Sequence, residues 1–194
     1  DPSGTNTRLI SLPFPGKGFV AVREKNPPPL LADDLEAGAA GWTTVVNDAF
    51  GNTQWELGSP NGSTGPLSGA DDSANAWCTS LGDYGMNSDI SLRTPVIDLT
   101  GVAAAQLSFD AYRDADGFGD TASVRFLRSD DQTQLGVDVP IDMTVFDSAY
   151  VTIEVPVPEA AIGEAVLIEF NFTRDGSADT FSGLCLDNVN VQIP

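Results

Sequence analysis

Two carboxylates occupy positions where a carboxylate is expensive. The stretch Asp33-Asp34-Leu35-Glu36-Ala37-Gly38 opens the densest run of strand signals in the chain, and Gly183-Leu184-Cys185-Leu186-Asp187-Asn188-Val189-Asn190-Val191 lies at the far end. Each sets an acid inside an apolar run. An ionised carboxylate is costly to bury unless it is paired or holds a metal. The two stretches are therefore expected to meet, close a β-sandwich and share one cation through Glu36 and Asp187. The 194 residues include no His, which removes the usual general base and the commonest zinc and copper ligand. Acidic oxygens dominate, so the expected metal is hard, with calcium first.

Asp114-Ala115-Asp116-Gly117-Phe118-Gly119-Asp120 is a second possible cation loop, with Asp114, Asp116 and Asp120 as its oxygens. It lacks the closing Glu of an EF-hand loop, and a hairpin tip rich in Asp and Gly is the alternative explanation. Trp55, Tyr84, Tyr112 and Phe118 are candidates for a sugar-stacking platform if they cluster on the surface, whereas Trp42 and Trp77 are expected in the core. Catalytic signals are sparse. There is no Gly-x-Ser-x-Gly elbow, no phosphate-binding glycine loop and no Cys-His pair. Paired carboxylates can hydrolyse glycosides, but with 28 acids coincidental pairs are expected.

The charge balance narrows the partners. Lys plus Arg total 9 against 28 Asp plus Glu, a net charge of −19. That argues against nucleic acid, whose phosphates must be neutralised, and against an anionic membrane surface. It suits a cation-rich, extracellular setting. No apolar run approaches the ~18 residues of a membrane span. The chain opens at Asp1 with no signal peptide, and reads as a mature fragment of something longer. Cys78 and Cys185 can form one bridge, which fits an exported protein, or remain two buried thiols.

The positioning elements read as strands. Leu107, Phe109 and Ala111 alternate with Ser108, Asp110 and Tyr112, and the same period of two runs through residues 122–126, 151–155 and 166–173. This period puts one face inside and one in water. Pro and Gly punctuate the runs, and only Pro158 to Ala165 leaves room for a helical turn. The chain is thus expected to be all-β, a two-sheet antiparallel β-sandwich (jelly roll) over residues 31–194. Residues 1–30, with strand-like runs at 8–12 and 18–22 and a stiff Pro27-Pro28-Pro29 spacer, form an extension or linker. In the last strand, Leu184 and Leu186 have opposite parity to Val189 and Val191. A bulge at Asp187-Asn188 would turn all four inward.

Asp34-Leu35-Glu36 leading to Gly41-Trp42-Thr43-Thr44, then Trp55-Glu56-Leu57-Gly58, Ser73-Ala74-Asn75-Ala76-Trp77-Cys78-Thr79, Leu92-Arg93-Thr94-Pro95-Val96-Ile97-Asp98-Leu99, Leu107-Ser108-Phe109 and the closing Leu186-Asp187-Asn188-Val189 stand in an order and spacing that resemble the MAM-like jelly rolls. More closely they resemble the bacterial cleaved-adhesin, or choice-of-anchor J, domains of gingipain haemagglutinin regions and secreted peptidases. The resemblance spans roughly residues 31–193. Cys78 departs from the small residue usual after that Trp, and Asn188 from the second acid of the closing pair. The resemblance implies a cation held by Glu36 and Asp187, then Asp34, with Asp72, Asn75 or nearby carbonyls completing the shell. It also implies a non-catalytic, calcium-stabilised module of a secreted or cell-surface bacterial protein. Its partners would be a glycan or a cell-surface protein, and neighbouring domains of a larger parent chain. A carbohydrate-binding module and a glycan-cleaving enzyme on a sandwich scaffold are the alternatives.

Overall fold

A computed structural model describes residues 27–194 in full and, before them, the backbone of two short strands, β1 (Asn6–Leu9) and β2 (Ala21–Glu24). These two pair antiparallel with each other. The other residues of the two expected N-terminal runs, 10–12 and 18–20, lie outside the described residues.

Twelve strands follow: β3 (Leu31–Asp33), β4 (Thr43–Val46), β5 (Glu56–Gly58), β6 (Ala76–Cys78), β7 (Asp89–Arg93), β8 (Ile97–Asp98), β9 (Gln106–Asp114), β10 (Thr121–Arg128), β11 (Val139–Ile141), β12 (Val151–Pro156), β13 (Ala165–Thr173) and β14 (Gly183–Gln192). They form two six-stranded antiparallel sheets. The first runs β11-β10-β13-β7-β4, with β8 also on β13; the second runs β12-β9-β14-β6-β5, with β3 also on β14. The molecule is the expected all-β sandwich. Its only helical pieces among the described residues are single 3-10 turns at Ala70–Asp72 and Glu159–Ala161, the latter inside the stretch expected to hold one turn.

The period of two does the sorting. Leu107, Phe109 and Ala111 of β9 face Val124, Phe126, Ile168, Phe170 and Phe172 of the first sheet, and all are buried. Phe109 meets Phe170 edge to face at 5.1 Å, the geometry that ring quadrupoles favour. Trp42 and Trp77 are core residues, as expected, with ring centroids 6.1 Å apart. Asp33 fixes the entry to this core. Its Oδ1 accepts the Leu35 N–H and its Oδ2 accepts the Trp42 Nε1–H at 2.8 Å. Buried Leu35 is thereby held at φ 62, a conformation that a bulky residue adopts only when its surroundings enforce it.

β14 carries the irregularity that matters. Its register against β9 shifts between Asp187 and Asn190, where Asn188 turns left-handed at φ 47. Leu184, Leu186, Val189 and Val191 all end up buried. The bulge also falls where β14 changes partner on its other side. Cys185 and Leu186 pair with β6, whereas Val189 to Val191 pair with β3. First and last sandwich strands do pair, but β14 lies inside the sheet, between β9 on one flank and β6 and β3 on the other. Between β6 and β3 the flank of β14 is unpaired, and a loop can enter there.

Candidate functional site

The loop that enters is 65–75. Asp187, with no exposed surface, points out of the sandwich and into it. Its Oδ2 accepts the Ala70 N–H at 2.8 Å and the Ser73 hydroxyl at 2.9 Å, and its Oδ1 accepts the Asn188 N–H at 2.7 Å. The loop can reach because Asp71 and Asp72 are both left-handed, at φ 53 and 63. That curls the chain until Ser73 N–H bonds Ala70 O and Gly69 N–H bonds Ser73 O. A Cβ at Gly69 would collide with Ser73 Oγ, Asn75 O and Asp187 Oδ2 together. Three oxygens thus pack so closely on the Gly69 backbone that only glycine fits there. Burial lifts the Asp187 carboxyl above the ordinary carboxylate range; the three donors pull it back, and the charge of Asp110 pushes it further up. Among residues 27–194 no arginine bonds it.

Glu36 lies on the rim of this loop, where its Oε1 accepts the Asn75 N–H at 2.8 Å. It is not the buried strand residue expected. β3 ends at Asp33, and Glu36 is exposed in the turn beyond, because the left-handed Leu35 takes the chain out of the sheet. The other two expected acids lie elsewhere. Asp34 lines a groove on the outer face of the second sheet, and Asp72 lines a separate one beside Tyr112 and Tyr150. Among the described residues no three carboxylates or thiols gather where one ion could join them. The structure therefore groups Asp187, Asn75 and Glu36 about one loop; Asp72 belongs to that loop but lines the groove beside Tyr112 and Tyr150, and Asp34 lies on a different groove. The donors beside Asp187 are hard oxygens, including a hydroxyl and a carbonyl, and such a set fits calcium and no soft metal.

Asp114, Asp116 and Asp120 do not form the second cation loop. Protein donors turn each a different way. Asp114, buried, accepts from the Thr64 hydroxyl at 2.5 Å and from Ser182 N–H at 3.1 Å. Asp116 accepts the Phe118 N–H and caps the hairpin tip. Asp120, also buried, accepts from the Tyr84 hydroxyl and from Asp175 N–H.

The aromatic platform is not assembled either. Trp55 and Tyr84 are buried in the core, the latter edge to face with Phe172 at 5.2 Å. Tyr112 is half-buried on the outer face of the second sheet against Tyr150, and Phe118 is fully exposed at the end of the sandwich. Cys78 and Cys185, opposite each other on β6 and β14, are joined by a disulfide. With Ala76, Leu81, Tyr112 and Tyr150 the bridge forms a small second core on that outer face. Tyr150 spans from it to the loop, donating its hydroxyl to Ser68 O. Burial and the nearby charges of Asp187, Tyr112 and Asp110 suppress its ionisation.

Below the bulge the outer face carries a groove of about 590 Å³ lined by Asp33, Asp34, Asp110, Thr152, Asn188 and Asn190 among others. Asp110 accepts from the Thr152 hydroxyl at 2.5 Å and from the Asn188 amide at 2.9 Å. The Asn190 side-chain oxygen has no partner among the described residues. Sequence reasoning passed over this groove, as it did Ser73, Gly69 and Arg174. Outward-facing Ser, Thr and Asn on a strand carry no signal beyond solvation. Only the bulge, visible in the parity change, marks the place.

No family model matches the chain, and no curated protein matches it. Similarity appears at the level of solved structures. The K3 cleaved-adhesin domain of Lys-gingipain from Porphyromonas gingivalis W83 superposes with a TM-score of 0.57 at 21% identity, over 85% of this chain and 99% of that one. The K1 domain of the same protein gives 0.54 at 16%, over 84% and 98%. A carbohydrate-binding module of the β-sandwich superfamily gives 0.53 at 10%, over 90% and 66%. At these identities the likeness is one of fold: the chain has the β-sandwich that cleaved-adhesin domains and carbohydrate-binding modules share.

Proposed function

We propose that this chain is a non-catalytic, calcium-stabilised sandwich module of a secreted or cell-surface bacterial protein, serving adhesion or supporting a neighbouring catalytic domain. The observation that carries this reading is Asp187. A carboxylate without exposed surface, with no arginine partner among residues 27–194 and with its ionisation opposed by burial is a costly residue. Ser73 Oγ and Asn75 O pack with it against Gly69. A cation bound by these oxygens would bridge β14 to loop 65–75, which Glu36 also holds through the Asn75 N–H. The cation's contribution is electrostatic: it supplies the positive charge that the protein does not. Asp187, Ser73 and Asn75 orient the loop, which closes over the carboxylate through Ala70 and Ser73.

The test is thermal unfolding with calcium and with chelator at equal ionic strength in sodium chloride, for the native chain and for Asp187→Ala. The reading expects calcium to raise the Tm of the native chain and to leave the variant largely unresponsive. Indifference of the native chain to chelator contradicts it.

Glycan binding is the second reading, favoured by the groove beneath the bulge. Its acids, amides and hydroxyls are the usual partners of sugar hydroxyls. Asp33 and Asp110 have both oxygens engaged by neighbours, which supports holding a ligand over hydrolysing one. A glycan array probed with the native chain and with Asn190→Leu tests it. Hits lost in the variant support the groove, and an array without hits leaves adhesion to protein as the function.

A further inference from the structure

Strand register places five connections at one end of the sandwich: residues 47–55, 79–88, 115–120, 142–150 and 174–182. Val46 pairs with Ile90, Asp89 and Thr121 with Thr173, Ala122 with Ile141, and Gly183 with Asp114. The loops contact one another in series. Asn52 donates to Met86 O, Asn87 N–H donates to Asp175 O, a Cβ on Gly119 would strike Asp175, and one on Gly117 would strike Thr144. Phe146 lies 5.5 Å from Phe181.

This end is rigidly built from within. Arg174, buried, lies 4.5 Å over the Tyr84 ring and donates to the carbonyls of Tyr84, Ser177 and Asp179. Tyr84 in turn donates to Asp120, which also accepts Asp175 N–H. The network ties three of the five loops together, so their tips are presented and not left to fold back. Yet the tips hold Phe118 at 104% exposure, Phe50 at 65%, Phe146 at 62% and Met86 at 45%. Phe118 and Phe146 stand on loops that meet at Gly117 and Thr144, and large apolar side chains exposed together on neighbouring fixed loops mark an interaction site. Aromatic and Met side chains are also the types enriched at protein interfaces.

Charge chooses the partner. Around these tips Asp83, Asp142, Asp175 and Asp179 are exposed. Residues 27–194 contain five arginines and no lysine. Arg93, Arg113, Arg125 and Arg128 are each in ion pairs, and Arg174 is buried. The end therefore presents apolar anchors among acids, with no free cation within residues 27–194. We propose that this loop end is a docking surface for a basic protein segment, in which Lys or Arg side chains face the Asp ring and apolar side chains pack on Phe118 and Phe146. An anionic bilayer and a second copy of this chain are both disfavoured by the same acids. The proposal rests on the adhesion reading but involves no cation at Asp187.

The test selects a displayed random dodecapeptide library on the native chain, with counter-selection on the variant carrying Phe118→Ser and Phe146→Ser. Phe118→Ser alone is the second variant, since a fully exposed side chain is removed without touching the fold, and Tm confirms this for both. The proposal expects enriched peptides to be net basic with aromatic or aliphatic residues. Affinity should fall at least about tenfold in the double variant, weaken as sodium chloride rises, and persist in chelator. Peptides that bind the native and double-variant chains equally, or that are neutral or acidic, overturn it. So does preferential binding of the native chain to phosphatidylserine-containing vesicles, or sedimentation as a dimer through this face. Loss of binding in chelator alone would instead implicate the Asp187 site.

Discussion

Asp120 and Asp187 are the same residue type in the same predicament, and the protein treats them differently. Both are buried, and burial lifts both carboxyls above their ordinary range. Asp120 has an internal answer: the Tyr84 hydroxyl bonds it and the Arg174 guanidinium lowers its pKa. Asp187 has only N–H and O–H dipoles, and its charged neighbour, Asp110, is another acid. An acid whose counter-charge is built in belongs to the scaffold. An acid whose counter-charge is missing marks where one is to be supplied from outside. The loop end and the bulge are thus a fixed frame and a conditional one.

The largest effect expected from breaking this contrast is at Arg174. Arg174→Met removes the buried guanidinium and frees the Tyr84, Ser177 and Asp179 carbonyls, leaving Asp120 without its cation. Breaking a buried charge network by removing one member costs about 3–5 kcal/mol, and about 2–4 °C of Tm accompanies each kcal/mol at this chain length. Differential scanning calorimetry should show a fall in Tm of roughly 6–20 °C, and a change of only a few degrees would show that the network is not what holds this end.

The disulfide comes next. Cys78 and Cys185, 107 residues apart, close a long loop. Replacing both with Ala should cost roughly 2–4 kcal/mol, read as a lower urea midpoint. Titration of the denatured, unreduced native chain should find no free thiol; two thiols per chain would refute the bridge.

Tyr84→Phe is a smaller break, and its sign depends on pH. Loss of the hydroxyl leaves Asp120 with one donor fewer, at about 1–3 kcal/mol. It also lifts the Asp120 folded pKa further. A raised carboxyl pKa means that the folded chain binds the proton more tightly than the unfolded one, so stability from this group falls as pH rises through the folded value. The penalty of Tyr84→Phe should be full at neutral pH and shrink on acidification as Asp120 protonates. A penalty independent of pH would mean that Asp120 is not the group affected.

The smallest effects are expected at Asp34 and Asp72, whose side chains line open grooves apart from Asp187. Asp34→Ala and Asp72→Asn, the latter keeping a residue type that tolerates the left-handed turn at 72, should stay within about 0.5 kcal/mol, with any calcium response intact. A lost response in Asp72→Asn would return that residue to the cation shell.

Much of the frame was legible from parity alone. Alternation in β9, β10, β12 and β13 announced the inner faces, and the phase break at Asp187-Asn188 announced the bulge and with it the placement of the acid. The two cysteines suggested a bridge without deciding it. What stayed hidden depends on which loop reaches where. Arg174 in Thr-Arg-Asp-Gly reads as an ordinary turn cation, and its burial follows from five loops meeting at one end. Tyr84 and Trp55 read as surface aromatics because they fall outside regular alternation. Tyr84 is inside because Asp120 and Arg174 complete its polar contacts, and Trp55 because it closes the core beside β5. Glu36 was misplaced by a single residue, Leu35, whose left-handed turn no pattern of two can reveal.

The most direct measurement of the conditional frame is the melting temperature of the native chain as free calcium is raised from chelator at constant ionic strength. A ligand that binds the folded state alone stabilises by about 2.7 kcal/mol at a hundredfold excess over its dissociation constant. The account predicts a saturable rise of several degrees at neutral pH, fading on acidification as protons compete for Asp187, and absent in Asp187→Ala. A native Tm that does not move between chelator and calcium would contradict it.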